Sequence, residues 1–109
     1  MLSINIAKQL KELGIEAEHS QDFVSGLRLM HLVSKVFYNG DTQVLSSKMH
    51  LSEEHKTGNN VLNINIILNY IRKDQNIHIE ESIRQLTAFQ LIEDDEAMIK
   101  LIEWLLSKK

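Results

Sequence analysis

Apolar residues between positions 23 and 37 recur at three- and four-residue steps. Leu27, Met30, Val33 (or Leu32), Val36 and Phe37 share one broad face, which predicts a helix from about Ser25 to Tyr38. Ser25 and Gly26 stand at its entrance, where small capping residues are favoured. Asp22 and Phe23 add an acceptor and a large apolar side chain just before it. A helix this apolar needs neighbours on more than one side, so it is expected at the centre of the fold, with Leu29, Met30, Val33 and Val36 buried on nearly all sides.

The same reading extends along the chain. Residues 2–13 predict a first helix with Ile6, Leu10 and Leu13 on one stripe and Lys8, Lys11 and Glu12 on the other side. Ser3 is its expected N-cap, Gly14 its C-terminal glycine, and Ile15 is expected to tuck back onto the core. Asn39, Gly40 and Asp41 signal a turn. Residues 41–51 keep no sustained period and are read as an irregular loop pinned by Val44, Leu45, Met49 and Leu51. A third helix is predicted from a start between Ser52 and Thr57 to about Arg72. Val61, Ile64, Leu68 and Ile71 mark its face, widened by Leu62 and Ile67. Its six asparagine and glycine positions between 58 and 69 are poor helix formers, so tertiary packing must carry it.

Residues 74–79 read as a turn and a short extended piece, followed by a short helix from about Ile79 to Leu86. Phe89, Leu91 and Ile92 are expected to anchor a connection. The last helix is defined by its ends. Asp94 or Asp95 caps it, Glu96 lies in its first turn, and Lys108 and Lys109 close it, an order that complements the helix dipole. Met98, Leu101, Ile102, Leu105 and Leu106 form its face, with Ile99 and Trp104 beside it. The expected fold is therefore all-α, with four main helices plus one or two short ones. The long insert after the central helix argues against a simple up-down bundle.

Bulk properties narrow the function classes. The chain has 109 residues, enough for a single domain over 1–109, and is 43% hydrophobic and 25% charged, an ordinary globular composition. Without cysteine it has no disulfide, thiolate metal site or cysteine nucleophile. No apolar run approaches a membrane span, and the N-terminus lacks the pattern of a signal peptide, which points to an intracellular protein. The net charge is −3, and neither half of the chain is a basic arm. Nucleic acid is therefore not the expected partner, although a patch could assemble from separate helices.

Local chemistry is sparse. His50, Glu53, Glu54 and His55 form the one local metal-type cluster, without a third or fourth ligand at a recognised spacing; a solvated turn at a helix start accounts for them better. His31 sits in the central helix with no nucleophile to serve. Glu93, Asp94, Asp95 and Glu96 lack the alternation and glycine of a calcium loop, and helix capping accounts for them. The four glycines are isolated, so no phosphate loop or nucleophile elbow is present. The expectation is a protein without catalysis, metal or cofactor, with a small enzyme built on His50–His55 as the remote rival.

Taken in order, these stretches resemble a calponin homology domain. Residues 23–33 are similar to that family's Phe-x-Asp-Gly-x-x-Leu-x-x-Leu helix, with Gly26 and Leu29 in register. Residues 60–71 resemble its Asn-(Val/Ile)-x-x-Ala-(Leu/Phe) helix, and Ile77 to Ile79 its Gly-Ile-x-Leu linker. Leu91 to Asp95 followed by Leu101 to Leu106 resemble its ending, Asp-Ile-Val-(Glu/Asp)-Gly and then Leu-x-x-x-Trp. Within the family, residues 4–15 and 49–56 are most similar to the second calponin homology domain of parvins. Ser25 replaces the usual Asp, the first helix lacks the usual Trp, and Asn76 stands where the linker often has Gly.

The resemblance implies a compact helical module with a sandwiched central helix that supports function without touching a partner. It implies a non-catalytic, cytoplasmic, cytoskeleton-associated role: binding F-actin, microtubules, or an amphipathic helix of an adaptor protein. A parvin-like site would lie in a groove near the first and last helices, fringed by Lys8, Lys11, Lys100, Lys108 and Lys109 and suited to an acidic helix. The competing role is a dimerising head of a longer coiled-coil protein.

Overall fold

The structure, a computed structural model, describes residues 1–49, 60–73 and 77–109. Its first helix, α1 (Ile4–Glu12), starts at Ser3, whose hydroxyl accepts the Ile6 N–H at 3.2 Å. It ends at Gly14, with φ +78°. There the Gly14 and Ile15 amides donate back to the Lys11 and Leu10 carbonyls, each at 2.9 Å. That paired closure is a Schellman motif, and it folds Ile15 back beside Leu10 into the core.

A 3₁₀ turn, Ser20–Ser25, follows in place of the plain connection read from the sequence. Asp22 sets its start: one carboxylate oxygen accepts both the Glu18 and His19 amides at 3.1 Å. Phe23 at its centre is fully buried. Helix α2 (Leu27–Phe37) then begins at Gly26, with Ser25 Oγ accepting the Arg28 amide at 3.5 Å. Residues 41–49 are not an irregular loop. Helix α3 (Thr42–Met49) occupies them, started by Asp41, whose Oδ1 accepts the Gln43 and Val44 amides at 3.1 Å. Only Leu45 in it is fully buried, which is why no apolar period marks it. Leu51 lies outside the described residues.

Helix α4 (Asn60–Lys73) buries Ile64, Ile67, Leu68 and Ile71, while Leu62 is 40% exposed and widens no face. A short α5 (Glu81–Arg84) follows, with Ile79, Ile83 and Leu86 buried around it. The expected connection at 87–93 is also a helix, α6 (Ala88–Glu93). Thr87 Oγ1 accepts the Gln90 amide at 3.2 Å and Gln90 Oε1 accepts the Thr87 amide at 2.9 Å, a reciprocal capping box. Its anchors are Ala88 and Leu91; Phe89 points outward, 62% exposed. Helix α7 (Asp95–Ser107) starts at Asp94, whose Oδ1 accepts the Glu96 amide at 3.0 Å.

The described residues are thus all-helical, without strands, as the periodicity predicts, but with more short helices than expected. α2 packs against the 3₁₀ turn, α3, α4 and α7, and α7 against the 3₁₀ turn, α2, α5 and α6. The buried face of α2 is Leu29, Leu32, Val33 and Ser34, whose hydroxyl donates to the His31 carbonyl at 2.7 Å. Met30 and Val36 are only half-buried, and Leu27 is 75% exposed, so the stripe lies one step round from the predicted one. α2 and α4 run side by side in the same direction. Gly26 abuts Asn63 at their starts, and the Tyr38 and Tyr70 hydroxyls hydrogen-bond further along.

Candidate functional site

Five lysines were singled out by sequence, and the fold disperses them. On α1, Ile6 and Leu10 face inward, and Lys8 stands roughly 160° from both at 100° per residue. Lys11 sits on the flank shared with Ala7 and lines a recess with Ile15, Glu16 and Arg28. On α7, Lys100 lies in the exposed strip Glu96, Lys100, Glu103 and Ser107, with a carboxylate one turn to either side. Lys108 holds its ammonium over the Trp104 ring, 5.4 Å from the centroid, a cation–π contact. Lys109 is exposed at the end of the chain.

A groove does separate α1 from the end of α7. Ile6 and Leu106 supply its apolar surface, and Ser3, Asn5, Gln9, Glu103 and Ser107 its polar one. None of the five lysines lines it. Met1 and Ile4 at the start of the chain are each 89% exposed. Such a surface can take an apolar side chain and hydrogen-bond a backbone, while Glu103 brings a negative charge to it.

The opposite flank of α1 faces the other recess. Arg28 is its fixed point: Nη1 donates to the Glu16 carbonyl at 2.6 Å and lies 3.8 Å from the Asp22 carboxylate. Its side chain still keeps 48% of its surface in solvent. His31 lines the same recess one turn along α2, and Lys35 continues the helix face. Lys35 lays its aliphatic chain along Gly40, leaving no room for a side chain there. Sequence reasoning treated α2 as interior only and passed over this outward face. The signal was present, because Arg28, His31 and Lys35 are spaced at three and four residues.

Among the described residues, no group of three His, Cys, Asp or Glu could hold a metal ion. His50, Glu53, Glu54 and His55 lie outside the described residues. Of the acidic run 93–96, Asp94 is committed to capping. No helix among the described residues is long and apolar enough to cross a membrane. The chain matches no family model, no curated protein and no solved structure.

Proposed function

We propose that this chain is a non-catalytic interaction module of calponin-homology type, acting in the cytoplasm on the cytoskeleton by binding F-actin or a helical segment of an adaptor protein. One observation carries the reading. The two stretches with the strongest family resemblance, residues 23–33 and 60–71, meet in space. A Cβ on Gly26 would stand 3.1 Å from the Asn63 Cβ, so the glycine of one stretch is required by the other. A buried α2 flanked by α3, α4 and α7 is also what such a module needs.

The α1–α7 groove offers the helix-binding site. Its two apolar residues and polar border fit an amphipathic segment laid across them. Co-sedimentation with actin filaments and with microtubules, each at low and high salt, tests the reading. Saturable binding to filaments that weakens with salt supports it. Failure to pellet with either filament, joined to an unchanged groove in spectra taken with leucine-rich helical peptides, overturns it. Charge reversal at Lys8 and Lys11 is expected to lower partner affinity.

A further inference from the structure

We propose that the outward face of α2, together with Lys11, is a docking surface for an acidic segment of a partner protein. The inference does not depend on the calponin-homology reading or on the α1–α7 groove. Leu27, Arg28, His31 and Lys35 fall within an arc of roughly 100° on α2. Lys11 joins them because it lines one recess with Arg28 and His31. Arg28 to Lys35 spans about 10 Å of helix rise, two turns. An acidic helix with carboxylates at i, i+3 or i+4, and i+7 matches that spacing.

Three features make the surface more than a solvated face. Arg28 is already oriented by the Glu16 carbonyl and by Asp22, so little side-chain freedom is lost when it takes a further acceptor. Among the described residues, no carboxylate lies within ion-pair distance of Lys11, His31 or Lys35. Leu27 is 75% exposed beside these cations, an apolar contact for a residue between the partner's acids. The charge favours protein over nucleic acid. Glu16 and Glu18 border the recess, where they repel a continuous phosphate backbone but leave room for a short acidic stretch.

The test uses the whole chain labelled with ¹⁵N and two probes: a capped alanine-rich helical peptide carrying one leucine and glutamates at i, i+3 and i+7, and a single-stranded oligothymidylate. The peptide is expected to shift the amides of Lys11, Gly14, Arg28, His31 and Lys35 and to leave Asn5, Gln9 and Leu106 in place. Lys11→Glu/Lys35→Glu should weaken the peptide about tenfold. Lys8→Glu/Lys100→Glu makes the same change in net charge away from the surface and should alter affinity less than about twofold. Equal losses in the two variants, shifts confined to the groove, or tighter binding of the oligonucleotide each overturn the proposal. If the first variant loses its dispersed spectrum, Lys11→Gln/Lys35→Gln replaces it, with a smaller loss of the same sign expected.

Discussion

Two helices read from sequence as strongly apolar, α2 and α7, and the fold treats them differently. α7 buries Ala97, Met98, Leu101, Ile102, Trp104, Leu105 and Leu106, an arc of roughly 200°. Only its strip of Glu96, Lys100, Glu103 and Ser107 stays wet. α2 buries Leu29, Leu32, Val33 and Ser34 and shows solvent Leu27, Arg28 and His31. The count of apolar residues therefore does not set depth of burial. The width of the continuous apolar arc does, because each neighbouring element can cover only one sector of a helix. α2 has two sides with separate tasks, and α7 nearly fills the interior from its own.

That contrast sets the largest expected effects. Leu101→Ala on α7 and Leu29→Ala on α2 each empty a fully buried site. Leu101 should cost about 4 kcal/mol and Leu29 about 3 kcal/mol, both within the range of buried leucine truncations. The difference follows from surroundings. Half-buried Met30 and Val36 can settle toward the space at Leu29, whereas α7 is hemmed in by packed neighbours. Urea unfolding measures both, and a Leu29 cost well above that of Leu101 would reverse the ranking of the two helices.

Next comes the join between α2 and α4. Gly26 has φ +74° and ψ −39°, a region that residues with a side chain rarely adopt. A Cβ there would also press on the Asn63 Cβ at 3.1 Å. Gly26→Ala should cost about 2 kcal/mol from backbone strain and crowding together. Gly26→Ala combined with Asn63→Gly relieves the crowding and leaves the strain, apart from the helix cost of the new glycine. A variant as stable as wild type would show that this close approach does not constrain α2.

The all-helical class was legible because four helices carry real periods and readable caps, as Ser3, Gly14 and Asp94 show. α3 was not, because a helix held by one buried side chain, Leu45, leaves no period to detect. α6 was missed although Thr87 and Gln90 spell a capping box; attention went to Phe89, a large residue that turned out to face solvent. The lysine set was chosen by number along the chain. Its dispersal depends on helix phase and on loop closures such as the Glu16–Arg28 contact, which sequence spacing does not encode. The basic face of α2 was visible as spacing and hidden by the assumption that an apolar helix has no outside.

α3 gives the next smaller effect. Asp41 satisfies two amides at its start, and the helix has little else to hold it beyond Leu45. Asp41→Ala should cost about 1 kcal/mol. Amide exchange gives the sharper reading. Protection should fall in residues 43–48 first and leave α7 unchanged, because a local opening costs less than global unfolding. Uniform loss of protection across α3 and α7 would mean that α3 is part of the cooperative core.

The smallest expected effect discriminates most sharply between the two faces of α2. Leu27 belongs to the apolar stripe by sequence spacing and to the solvent side in the fold, 75% exposed. Leu27→Ala should change stability by less than about 0.5 kcal/mol, as surface substitutions do, against about 3 kcal/mol for Leu29→Ala two residues away. Helix propensity slightly favours alanine, so even a small gain is consistent. The same variant should weaken an acidic partner on the outward face by removing its apolar contact. Stability and binding are thereby separated at neighbouring residues of one helix: Leu29 acts on folding, and Leu27 on docking. A Leu27→Ala loss of 2 kcal/mol or more in urea unfolding would place Leu27 in the core and remove the outward face of α2 as a free surface.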